Sequence, residues 1–123
     1  MRYAILLVLL LTACAPRFDS NELLLAAQIK TIAEHSQVKC VDPSTTLEEG
    51  KRDLLPVLHL MSNYSPYLPN NDETAKSVLT LRKIVDGIVV TTKSSRTYCE
   101  EKFKNVEIGA DRILRMLKEK EVK

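Results

Sequence analysis

The sequence predicts an all-α domain, a compact array or bundle of about four helices stapled by one disulfide. Three observations predict it. The 123-residue chain has three Gly and no Trp, fewer glycines than strand-rich sandwiches or Gly-rich phosphate loops usually need. An apolar fraction of 45% beside a charged fraction of 28% fits a folded chain of single-domain size rather than disorder. Apolar residues recur at helical spacing in successive segments separated by Pro, Asn and Ser. The formal charge of +2 is too small for the electrostatic footprint of a nucleic-acid binder, so no nucleic-acid partner is expected.

Met1-Arg2-Tyr3 leads into the uncharged apolar block Ala4 to Leu11, the layout of a secretory signal. The block is shorter than the roughly 20 residues a helix needs to span a bilayer, which favours cleavage over a permanent anchor. Leu11-Thr12-Ala13-Cys14 resembles the bacterial lipobox. That resemblance implies a diacylglycerol on the Cys14 thiol, cleavage before Cys14 and acylation of the new amino group. Residues 1–13 are then the signal peptide, 14–19 a lipidated tether and 20–123 a helical periplasmic domain. An ordinary signal peptide followed by a chance cysteine is the alternative. Each acyl CH₂ buried contributes roughly 0.8 kcal/mol, so several chains hold a soluble domain on a bilayer. Ala15 stands where lipoproteins kept in the inner membrane typically carry Asp, which points to the periplasmic face of the outer membrane and to the lipoprotein sorting machinery.

Along the mature chain, Ser20 and Asn21 are placed to cap a first helix running to Val38, with Leu25, Ile29, Ile32 and Ala33 as its apolar stripe. Cys40 to Ser44 breaks it, because the residue before Pro43 is pushed out of the helical region. Thr45 and Thr46 each have a Glu three residues on, the capping-box spacing that opens a second helix with Leu47, Leu54, Leu58 and Met61. Pro56 predicts a kink or split near Asp53. Residues 62–71, with two prolines and three asparagines, read as an ordered surface loop.

Asp72 is placed to cap a third helix whose stripe is Val78, Leu81, Val85, Ile88, Val89 and Thr92. The β-branched run from Ile88 to Thr92 reads as a strand by propensity alone. The helix is preferred because the run continues the 3.6 period, with fraying after Val90. Ser94 or Ser95 starts a fourth helix with Cys99, Phe103, Val106, Ala110, Ile113, Leu114 and Leu117 on one line.

Chemistry is sparse. Once Cys14 is lipidated, Cys40 and Cys99 remain, and an even pair in an oxidising compartment reads as a disulfide closing a loop of about sixty residues, roughly 4 kcal/mol of chain entropy. A zinc site of Cys40, Cys99, His35 and His59 is the alternative, though none of its spacings matches a zinc motif. No nucleophile elbow, zinc-protease or phosphate-loop motif occurs. The adjacent pairs Glu48-Glu49 and Glu100-Glu101 point about 100° apart on a helix and do not converge as an acid/base dyad would. No enzyme activity, no metal and no cofactor beyond the lipid are expected. Asn63-Tyr64-Ser65 matches the glycosylation triplet by chance, since a lipobox implies a bacterial product.

A lipobox, a short tether, about a hundred helical residues, Cys40 near the end of the first helix and Cys99 opening the last together resemble the helical pilotins of type II secretion, the PulS/OutS type. The chain departs from them in having no Trp where they carry a Gly-Trp in mid-domain. The resemblance implies a lipoprotein that binds the C-terminal segment of a secretin as a helix in an apolar groove and escorts it to the outer membrane. Such helix-in-groove recognition needs apolar anchors and no catalytic group. Leu24, Gln28, Leu79, Ile84 and Val90, on the first and third helices, are the expected groove residues. The alternative for Leu23, Leu24, Leu79 and Val90 is that they complete the core. The competing function is a phage- or plasmid-encoded exclusion or immunity lipoprotein that blocks an outer-membrane receptor, distinguished by its gene neighbours. A structural lipoprotein contacting peptidoglycan lacks the expected charged saccharide-binding pattern.

Overall fold

The structure, a computed structural model, describes residues 19–122, with side chains described for 19–120. Cys14, the signal and nearly all of the tether lie outside the described residues. Four α-helices follow in order: α1 (Ser20–Val38), α2 (Pro43–Tyr64), α3 (Asp72–Asp86) and α4 (Arg96–Val122), with a 3₁₀ turn at Ser65–Tyr67. No strand occurs among the described residues. Short links reverse the chain each time. α1 packs on α4 and α2, and α3 packs on α2 and α4, so α1 and α3 stand at opposite corners.

Each helix starts and stops for local reasons. Asp19, rather than Ser20 or Asn21, caps α1, its Oδ1 accepting the amides of Asn21 at 2.8 Å and Glu22 at 3.1 Å. α2 begins at Pro43, earlier than the Thr-Glu spacing predicts, because proline at the first helical position is pre-set in φ and lacks only an N–H the helix would leave unpaired. Thr46 is then inside the helix and donates to the Lys39 carbonyl at 2.6 Å. Nor is α2 split: Pro56 lies on the exposed side, where water can serve the Arg52 carbonyl that it leaves without an intrahelical donor. Ser95 caps α4 as the sequence predicts, its hydroxyl accepting the Tyr98 amide at 3.0 Å.

The largest departure is at the end of α3. The helix stops at Asp86 and Gly87, before the β-branched run. Ile88 still reaches the core, but Val89 and Thr92 of the expected stripe are exposed, and the run is neither helix nor strand. Glycine is a poor helix former, and β-branched residues following it do not restore the helix. Lys51 of α2 closes this end by donating to the Asp86 and Ile88 carbonyls at 3.1 and 2.9 Å.

The core is formed by Ala26, Ile29 and Ala33 of α1, the four predicted residues of α2, Val78, Leu81 and Val85 of α3, and the whole predicted stripe of α4. On α1 the buried line is rotated from the expected one, so that Leu25 and Ile32 are only partly buried while Glu22 is enclosed. The Glu22 carboxylate accepts hydrogen bonds from the Ser65 hydroxyl and from Asn71 Nδ2. These bonds satisfy a group whose burial unpaired would be expensive. Cys40 and Cys99 form a disulfide with Cα atoms 5.8 Å apart, tying the end of α1 to the first turn of α4.

Candidate partner-binding groove

The five residues expected to line one groove are distributed over three surfaces. Leu24 and Gln28 lie on the outer face of α1, exposed and away from both of its neighbours. Leu79 and Ile84 are five positions apart on α3, which separates them by about 140° around the helix. Ile84 faces α4. Leu79 is on the flank toward α2, the side where Arg82 donates to Ser62 at 3.0 Å. Val90 belongs to the link after α3, beside Val89, whose amide donates to the Tyr98 hydroxyl at 2.9 Å. Because α1 and α3 occupy opposite corners, no cleft between them joins these side chains.

The groove that does exist follows the seam between α3 and α4. It is an open depression of about 300 Å³, with Leu81, Ile84 and Ile108 as its apolar part and Thr80, Asn105 and Arg112 around them. Gly109 creates the space. A Cβ there would lie 2.8 Å from Leu81 Cδ1, so the absence of a side chain lets the backbone of α4 approach the Leu81 side chain of α3. Ile84 is half-buried and Ile108 is 47% exposed. Of the expected residues, Ile84 alone belongs to this groove. Ile108, Gly109 and Arg112 were not anticipated, because Ile108 falls off the core stripe of α4 and reads as an isolated surface residue until the partner helix is placed.

Among the described residues, the other candidates for chemistry are dispersed over the helices. Cys40 and Cys99 are bonded to each other, which removes them as zinc ligands. His35 and His59 are exposed on different helices. Among the described residues, no three His, Cys, Asp or Glu side chains are grouped so as to hold a metal. Glu48 and Glu49 are exposed, and Glu100 pairs with Arg96 at 2.7 Å.

The strongest electrostatic perturbations are structural ties of α1. Burial pushes the Asp19 carboxyl up, but the Tyr64 hydroxyl at 2.5 Å and the amides of Glu22 and Asn21 outweigh it and hold the group below its ordinary value. The same bond to Asp19, with burial adding to it, raises Tyr64. Asp111 of α4 is lowered by its hydrogen bond and ion pair with Lys30 of α1 at 3.1 Å, and Lys30 is raised correspondingly.

No family model, no curated protein and no solved structure matches this chain.

Proposed function

We propose that the protein is a pilotin-like adaptor, lipid-anchored through Cys14 on the periplasmic face of the outer membrane. Its helical domain binds the C-terminal segment of a secretin as an amphipathic helix and escorts it to that membrane for type II secretion. The observation that supports this most is the open depression between α3 and α4 in which Ile84 and Ile108 stand among polar residues, preformed in a disulfide-tied helical array. A partner helix lays side chains spaced at i, i+3 and i+4 into such a depression, and burial of each against Ile84 or Ile108 contributes roughly 1.5–3 kcal/mol.

The test is a photo-crosslinking residue at position 108 of the full-length lipoprotein in cells. The expected product is an adduct to the C-terminal segment of a secretin subunit, with none from the same residue at position 24 on the outer face of α1. Crosslinking to an outer-membrane receptor or to peptidoglycan, and not to a secretin, overturns the reading.

A further inference from the structure

The α3–α4 seam holds two depressions in line. The second, of about 400 Å³, lies at the end of the bundle where α1 begins and is lined by Asp72, Glu73 and Glu119. Its one cation, Lys120, is committed to the Asn71 side-chain oxygen. Thr74, almost completely buried, also lines it, and its hydroxyl has no hydrogen-bond partner. The depression around Ile84 and Ile108, by contrast, is lined by no carboxylate, and Arg112 is its one charged residue. Arg112 makes no ion pair among the described residues. The two depressions meet where the Ser77 hydroxyl donates to Met116 Sδ at 3.8 Å. The seam therefore carries three carboxylates in one depression and a single cation, Arg112, in the other.

From Glu73 to Ile84 the helical rise is about 16 Å, the length of three turns of a helix laid alongside. We propose that the seam takes an amphipathic helix of segregated charge, with carboxylates beside Arg112 flanking the side chains that rest on Ile84 and Ile108, and with a lysine or arginine over Asp72, Glu73 and Glu119. This rests on the reading that the seam binds a partner helix and adds which of its ends lies where. Complementary charge contributes direction and selectivity more than gross affinity, since a reversed helix would set like charges against each other.

The test uses the full-length lipidated protein in neutral detergent micelles and three fluorescent synthetic helical peptides with one leucine stripe. One carries glutamates at one end and lysines at the other, one carries glutamines throughout, and one carries lysines at both ends. The segregated peptide is expected to bind at least tenfold tighter than either control. Arg112→Glu should remove that advantage, Arg112→Lys should keep it, and added salt should shrink it. Equal affinities, no binding, or an advantage untouched by Arg112→Glu overturns the proposal. A secretin C-terminal peptide that binds regardless of Arg112→Glu leaves the helix-binding reading standing and this one fallen. Segregated-peptide binding as expected, without any secretin-peptide binding, keeps this proposal and overturns the secretin assignment.

Discussion

Gly50 of α2 lies directly against the ring of Phe103 of α4: a Cβ on Gly50 would be 2.3 Å from Phe103 Cζ and 2.5 Å from Cε1. Both residues are buried, and the contact links helices that are otherwise diagonal neighbours. In a free helix, Gly→Ala gains about 1 kcal/mol, but forcing a methyl into this space costs more than that gain. Gly50→Ala is expected to destabilise the domain by about 1–2 kcal/mol net in urea unfolding. Adding Phe103→Leu to Gly50→Ala should recover part of the loss. A Gly50→Ala domain more stable than wild type would show that the contact is not tight.

The Cys40–Cys99 bond spans a sequence separation of 59 and is enclosed at both ends. Replacing both cysteines by serine is expected to cost about 4 kcal/mol at most by chain entropy. Thiol titration of the unfolded, unreduced mature protein should find neither cysteine free, and two reactive thiols would contradict the bridge.

The Asp19–Tyr64 bond gives the acid limb of stability a specific signature. Asp19 is held below its ordinary value, so its contribution is present above the unfolded carboxylate range and is lost as pH falls through the folded value. Tyr64 is raised, so its contribution is present at neutral pH and is lost as pH rises through the folded phenol value. Tyr64→Phe should therefore melt below wild type at pH 7, with the difference closing below about pH 4. A pH-independent difference would mean that the hydroxyl acts by packing alone.

Much of this fold was legible in the sequence, and the groove was not, for identifiable reasons. The stripe from Cys99 to Leu117 has a strong 3.6 period, and all seven of its residues are buried. The limits of α1 were legible too, although its core line was misplaced because Glu22, a charged residue, is part of it. The end of α3 is not legible in the sequence, because Ile88 and Val89 continue the helical period numerically after Gly87 has ended the helix. The groove depends on which helices are neighbours, and apolar periodicity does not encode that. Leu79 and Ile84 are equally apolar in the sequence, but only the packing shows that they face different partners.

Leu11-Thr12-Ala13-Cys14 predicts acylation of the Cys14 thiol. Radiolabelled palmitate should enter the wild type and be absent from Cys14→Ser, which should also stay unprocessed at the signal. Equal labelling of the two would remove the basis for placing the protein at the outer membrane.

Calorimetric titration of a secretin C-terminal peptide into wild type, Ile108→Asp and Leu24→Asp, beside the melting temperature of each free domain, asks whether the α3–α4 seam takes a helix from a secretin. Ile108 is 47% and Leu24 66% exposed, so neither change should unfold the domain. If the seam takes that helix, Ile108→Asp should bind at least tenfold more weakly, about 1.4 kcal/mol, with its melting temperature and the affinity of Leu24→Asp both unchanged. A peptide that binds Ile108→Asp as tightly as wild type, or does not bind wild type at all, would contradict it.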